Sequence, residues 1–266
     1  MSLNKYLSER LEASADRDRK TLVMTHVVCG YPSFEDNWKA LEIMQEFGVD
    51  MVELQFPFSE PSADGPLFVK ANQSAIESGV HVQDCFAFML KVTAAFSFKV
   101  VMMGYYNTVF KTGHRPFLER LKDAGGSGFI LPDLPIEEAS ELHGIAKELQ
   151  LSPIVLMTPT NSDQRLAELA QCSDGFIYAV ARKGVTGSST EMDRAVSDFI
   201  ERCREHTKLP IAIGFGVSNA QDIAFIGKHA EIAVIGTAAL KAWESNGSVA
   251  LRAFFQQLLE SKTALA

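Results

Sequence analysis

Short apolar or β-branched runs recur every 21 to 48 residues along the chain, and each has the length of one strand. They are TLVMTHVV from Thr21, DMVELQF from Asp50, FKVVMMG from Phe98, GFIL from Gly128, PIVLM from Pro153, GFIYAV from Gly175, PIAIGFG from Pro210 and EIAVIG from Glu231. Between them lie stretches with helical spacing. In SFEDNWKALEIMQEFG, Trp38, Leu41, Ile43, Met44 and Phe47 form one stripe that Gly48 closes at a C-cap position. PFLERLKDAGG, IEEASELHGIAKELQ, DQRLAELAQ, DRAVSDFIERCREH and the tail WESNGSVALRAFFQQLLE read as further helices, and the Phe-rich stretches CFAFML and AFSF read as helix core. Leu3, Tyr6, Leu7 and Leu11 add a helix ahead of the first strand.

Eight strand and helix units with no polar linker predict a (β/α)8 TIM barrel, an α/β fold with an extra N-terminal helix, as a single domain over 1–266. The rival is an open doubly wound sheet, which would carry a nucleotide fingerprint. Here Gly214-Phe215-Gly216 is followed by Val217-Ser218-Asn219 and no third glycine, so that fingerprint is missing.

Charge narrows the partners. A formal net charge of -8 without a Lys/Arg run predicts no nucleic-acid or membrane partner, so any phosphate must be caught locally. Four scattered cysteines without a CxxC pair, and an opening segment lacking the apolar core of a signal peptide, lead to the expectation of a reducing, cytoplasmic setting. The six histidines show no ligand spacing, and no metal is expected.

In such a barrel the chemistry sits at the C-terminal ends of the strands. The second strand, Asp50-Met51-Val52-Glu53-Leu54-Gln55, puts Val52 and Leu54 on one face and Met51 and Glu53 on the other. If the apolar pair meets the helices, Glu53 points into the lumen, where a carboxylate costs several kcal/mol unless it is paired. A structural pair with an inward Lys or Arg is the plain explanation, and a catalytic acid is the other. Asp64 follows in PFSEPSADGP. Its Asp-Gly dipeptide is common turn chemistry, but it stands over the same mouth as Glu53, where two carboxylates could face one substrate. Gly184-Val185-Thr186-Gly187-Ser188, Gly214-Phe215-Gly216 and Gly236-Thr237 look like an anion site of backbone N–H groups and a helix N-terminus, or else tight βα turns. Tyr105, Tyr106 and Tyr178 read as packing residues with satisfied hydroxyls.

These residues resemble one family. VELQFPFSEPSADGP is similar to the signature of the tryptophan synthase alpha chain family, and GYYNTVFKTG, LPDLPIEE, KGVTG, IGFGVS and VIGTAAL follow in the family's order, covering 21 to about 241. The resemblance implies that Glu53 and Asp64 are catalytic and that Tyr178 lies at the active site. It further implies that Phe215 lies beside substrate, with Gly187, Gly216, Gly236 and Thr237 around its phosphate. The implied reaction is retro-aldol cleavage of indole-3-glycerol phosphate to indole and glyceraldehyde 3-phosphate. No cofactor is implied on this chain. A pyridoxal-phosphate beta chain is the implied partner, in an alpha2beta2 heterotetramer.

The chain departs from the family pattern at several places: Gln55 and Phe56 stand for a Gly-aliphatic pair, Glu60 for Asp, Ser62 for an apolar residue, His26 for an aromatic and Thr237 for Ser. Other readings are a sugar-phosphate isomerase or aldolase and a non-catalytic phosphate-binding paralogue. An aldolase would want a strand-borne lysine, and only Lys99 qualifies, at the start of the third strand.

Overall fold

The computed structural model describes residues 1–15, 21–180, 189–214 and 216–260. All eight predicted strands form: β1 Leu22–Val28, β2 Met51–Gln55, β3 Lys99–Met103, β4 Gly128–Ile130, β5 Ser152–Met157, β6 Ile177–Val180, β7 Ile211–Gly214 and β8 Ile232–Ile235. They pair in parallel in sequence order, and β8 closes on β1 with Leu22 opposite Ile232 and Thr25 opposite Ile235. The fold is a closed (β/α)8 barrel.

The period of two in each strand divides the interior into two cores. Val23, Val27, Val52, Leu54, Val100, Met102, Ile211 and Ile213 pack outward with helix residues such as Leu41, Met44, Met89 and Leu121. Their alternates Leu22, Met24, Met51, Val101, Ile154, Ala212 and Val234 fill the lumen. The split was legible in the second strand, where Val52 and Leu54 meet the helices and Met51 the lumen.

Helix α1, Leu3–Ala15, stops the N-terminal end of the barrel. Leu3, Tyr6 and Leu7 join the lumen cluster. The Tyr6 hydroxyl donates to the Asp50 carbonyl at 2.9 Å, Arg10 pairs with the Asp50 carboxylate, and that carboxylate also accepts from the Val23 N–H at 2.9 Å. Gly175, at φ +80°, lies so close that a β-carbon there would sit 2.8 Å from Leu3, which excludes larger residues.

The other helices are α2 Phe34–Glu46, α3 Pro66–Glu77, α4 Val82–Ala95, α5 Tyr106–Thr112, α6 His114–Asp123, α7 Ser140–Glu148, α8 Asp163–Cys172, α9 Ser189–His206, α10 Ala220–His229 and α11 Thr237–Glu260. None of the described helices is long and apolar enough to cross a membrane. Several details differ from the sequence pattern. The C-cap of α2 is Phe47, and Gly48 follows it at φ +68°, the left-handed position that glycine favours after a helix. IEEASELHGIAKELQ splits into a 3-10 turn at Ile136–Glu138 and α7, because Glu138 and Ala139 bond three residues back, to Pro135 and Ile136. Of the Phe-rich stretches only CFAFML is helix core; Phe96 closes α4 and Phe98 leads into β3. The tail helix is broken at Asn246 and Gly247, which carry non-helical backbone angles.

Candidate active site at the barrel mouth

Glu53 sits opposite His26 of β1 and Val101 of β3 in the strand registers, and it is 2% exposed. Its Oε2 has no hydrogen-bond partner among the described residues; the nearest charge-capable atom is His26 Nδ1 at 3.7 Å. From β6 the Tyr178 hydroxyl faces the carboxyl. Burial pushes the Glu53 carboxyl up to about 7 and the Asp64 charge adds to it, while His26 and the Tyr178 hydroxyl oppose. Among the described residues no Lys or Arg pairs with Glu53, so the structural ion pair is not what holds it there. A carboxyl near 7 is populated in both protonation states at neutral pH, as a group that gives and takes protons needs to be.

Asp64 lies in the loop between β2 and α3, in a turn closed by its own N–H on the Pro61 carbonyl at 3.0 Å. It does more than turn the chain. Its Oδ2 accepts from Gln55 Nε2 at 2.6 Å, from the Tyr105 hydroxyl at 3.2 Å and from Asn72 Nδ2 at 3.5 Å. Tyr105 in turn accepts from the Ala63 N–H at 3.1 Å, and burial with the Asp64 charge pushes its hydroxyl well up, so that it stays a donor. Asn72 is buried and fixed by the Phe68 carbonyl at 2.8 Å and the Phe58 N–H at 3.0 Å. These three donors all converge on one oxygen, which leaves Oδ1 for a ligand donor.

Gln55, Tyr105 and Asn72 were not singled out as site residues by the sequence. Gln55 shares the lumen parity of Glu53, which is the one signal that could have found it.

The glycines serve two purposes. Gly214 makes room for a side chain, since a β-carbon there would stand 2.9 Å from the Tyr178 ring. Gly216 has φ +72°, and a β-carbon there meets nothing within 4 Å, so backbone conformation is its requirement. Gly236 precedes α11, and a β-carbon there would touch Phe68 at 3.4 Å and His26 Cβ at 3.8 Å, which places it against the wall that holds Glu53. Thr237 is exposed at the first position of α11, where free N–H groups and the helix dipole favour an anion. Gly187, with the rest of Gly184 to Ser188, and Phe215 lie outside the described residues. Glu53, Asp64, Tyr178 and Gly236 are thus brought together, and Gly216 is two residues beyond the end of β7.

A separate cavity of about 370 Å³ opens beside β4 and β5, lined by residues including Leu131, Asp133, His143, Val155, Arg165 and Leu169. Asp133 is already engaged there, accepting from the Tyr106 N–H at 2.9 and 3.1 Å. Neither Glu53 nor Asp64 lines this cavity.

The family model of the tryptophan synthase alpha chain matches residues 12–263. Tryptophan synthase alpha chains from Desulforapulum autotrophicum and Syntrophotalea carbinolica are each 43% identical, over 96% and 89% of this chain and 99% and 94% of theirs. Among solved structures, tryptophan synthase from M. tuberculosis in its aminoacrylate-bound form superimposes with a TM-score of 0.86 at 28% identity, covering 96% of this chain and 98% of that one. With its barrel closed, two carboxylates at the mouth and relatives matching nearly end to end, the chain belongs to the tryptophan synthase alpha chain family.

Proposed function

We propose that Glu53 and Asp64 carry the family's reaction in this chain, the retro-aldol cleavage of indole-3-glycerol phosphate to indole and glyceraldehyde 3-phosphate in tryptophan biosynthesis. The observation behind this assignment is a buried Glu53 carboxyl, raised to about 7, that lies close enough to Asp64, His26 and Tyr178 to be shifted by each of them. Breaking the bond from indole C3 to the glycerol chain needs a proton on C3, loss of the proton from the adjacent hydroxyl, and a partner for the charge on the ring. Protonated Glu53 gives its proton to C3. The Glu53 carboxylate then takes the hydroxyl proton as the C–C bond breaks, a carbonyl forms and the electron pair returns to the ring, so Glu53 ends as it began.

Asp64 Oδ1 accepts from the indole N–H and offsets the charge that develops there, with Oδ2 held by Gln55 and Tyr105. Tyr178 packs at the substrate and Phe215 beside it. Gly187, Gly216, Gly236 and Thr237 surround the phosphate, whose charge the N-terminus of α11 favours. The chain needs no cofactor for this chemistry.

Free indole is apolar and escapes, which favours direct delivery to a beta chain that holds pyridoxal phosphate, in a cytoplasmic alpha2beta2 assembly. The rim offered to that partner is the turn with exposed Glu60 and Ser62 and the Leu131–Pro135 segment, where Asp133 and Pro135 are exposed. The test is to incubate the purified chain with indole-3-glycerol phosphate and follow indole, with and without a beta chain. Indole formed by the wild type and lost in Glu53→Gln supports the assignment; equal rates in both overturn it.

A further inference from the structure

The side chain of His26 stands between the two carboxylates. Its Nε2 is 2.8 Å from Gln55 Oε1, Gln55 Nε2 donates to Asp64 Oδ2 at 2.6 Å, and its Nδ1 is 3.7 Å from Glu53 Oε2. The glutamine amide sets the direction of this chain. A carboxylate only accepts, so the Gln55 NH2 must face Asp64 and the Gln55 carbonyl must face His26. A carbonyl also only accepts, so the hydrogen lies on His26 Nε2. Nδ1 is then a bare lone pair in the neutral ring and an N–H in the imidazolium.

Opposite Nδ1 is the Glu53 Oε2 atom, buried and without a hydrogen-bond partner among the described residues. A carboxylate oxygen against a lone pair is repulsive. The two favourable states each put one proton between these atoms, as a carboxyl O–H toward Nδ1 or an imidazolium N–H toward the carboxylate. At 3.7 Å the pair is longer than a hydrogen bond, and catalytic contacts of this kind commonly tighten when substrate fills the site. The ring is kept in line by Phe68, whose centroid is 4.4 Å away. The titratable groups that face Glu53 are His26 from β1, Asp64 from the loop before α3 and Tyr178 from β6, with Tyr105 behind Asp64.

We propose that His26 and Gln55 form a bridge joining Glu53 to Asp64, in which Glu53 and His26 share one proton and Gln55 reserves Asp64 Oδ1 for the substrate N–H. The inference rests on the reading of Glu53 and Asp64 as the reacting carboxylates. Both bridge residues act through those carboxylates, and both are positioning residues. When Glu53 gives its proton to C3, its carboxylate is left facing the Nδ1 lone pair. The arrival of the hydroxyl proton restores the shared proton and closes the balance. His26 and Gln55 bond to each other directly, so the bridge is continuous from Glu53 to Asp64.

The test has a structural and a kinetic arm. Nitrogen-15 spectra of histidine-labelled enzyme without substrate should show His26 as the Nε2–H tautomer, and Glu53→Gln should change its Nδ1 resonance while Nε2–H persists. A Nδ1–H tautomer, or a Nδ1 resonance indifferent to Glu53→Gln, overturns the bridge. In the kinetic arm His26→Gln keeps a donor for Gln55 but cannot share a proton. It should lower kcat about tenfold, hold KM within about twofold and displace the pH limb of kcat. Gln55→Leu should instead raise KM roughly fivefold, through a loosened Asp64. Unchanged kcat and pH profile in His26→Gln, or unchanged KM in Gln55→Leu, overturns the proposal. A wild-type chain that forms no indole overturns the functional reading alone, since the spectra decide the bridge without turnover.

Discussion

The Tyr105 hydroxyl donates to Asp64 Oδ2 at 3.2 Å while it accepts from the Ala63 N–H at 3.1 Å, so one side chain fixes both the carboxylate and the peptide just before it. The ring itself is stacked on Phe58, with centroids 5.1 Å apart. Tyr105→Phe keeps that stacking and removes only the hydroxyl. It leaves a backbone donor and a carboxylate oxygen each short of a partner, which costs about 1–3 kcal/mol locally. Turnover should fall about tenfold, and the unfolding midpoint should drop by no more than that local cost accounts for. Steady-state indole formation beside a urea titration checks this, and full activity would show that Gln55 and Asn72 hold Asp64 without it.

Glu53 makes stability depend on pH in a direction that can be worked out. Its carboxyl stands near 7 in the fold against 4.5 in the unfolded chain. Between those values the folded chain keeps a proton that the unfolded chain has released, so stability falls as pH rises through the window and is level above it. At about 1.4 kcal/mol per unit the loss is on the order of 3 kcal/mol. Glu53→Gln should therefore be more stable than the wild type at pH 8, with the advantage fading toward pH 4, while turnover drops by roughly 10²- to 10⁴-fold. Denaturant midpoints of both proteins across that range are the measurement. A difference that does not vary with pH would mean that Glu53 does not hold its proton in the fold.

Gly236 tests the anion site. A β-carbon there meets Phe68 at 3.4 Å, ordinary contact, so Gly236→Ala should fold and bind. Gly236→Asp starts from the same β-carbon position and adds a negative charge beside the N-terminus of α11, where a phosphate would be repelled. Calorimetry with glycerol phosphate should show affinity lost in the Asp variant and kept in the Ala variant. Equal affinity for all three proteins would place the phosphate elsewhere.

The barrel was legible because its strands are apolar on both faces and end in turn residues, and because β2 announced its own orientation. One polar residue among Met51, Val52 and Leu54 could only be paired or functional. The helices were less legible. α5 buries only Val109, so no stripe marks it, although the Asn219 and Asp222 capping box of α10 was there to be read. Within the site, Glu53 and Asp64 stood out as carboxylates in unusual places. The groups that hold them did not, because Tyr105 reaches Asp64 across 41 positions and such contacts leave no local trace. Gln55, at the last position of β2, is fully buried, and nothing local in the sequence marks it as part of the site.

Asp133 connects the proposed partner rim to Asp64. Its carboxylate accepts from the Tyr106 N–H at 2.9 and 3.1 Å, at the first residue of α5, and the preceding residue is Tyr105, which holds Asp64. Moving the Leu131–Pro135 segment would therefore move the start of α5, and with it the hydroxyl that holds Asp64. A beta chain pressed against this rim and the Glu60–Ser62 turn would narrow the positions that Asp64 samples, and small losses of misplacement are worth large factors in rate. The isolated chain should be slow and the complex fast. Asp133→Ala removes the link without touching the mouth. It should lower the activation gained at saturating beta chain several-fold and lower the basal rate less, as Tyr105 keeps its own bonds to Asp64 and Ala63. Because Glu60 and Ser62 are exposed on this rim, a beta chain from a distant member should activate this chain less than its own. Indole formation is followed while each beta chain is titrated against wild type and Asp133→Ala. A wild-type rate that saturating partner leaves unchanged, or an Asp133→Ala chain activated in full, would sever this surface from Asp64 and leave the cleavage chemistry at Glu53 standing.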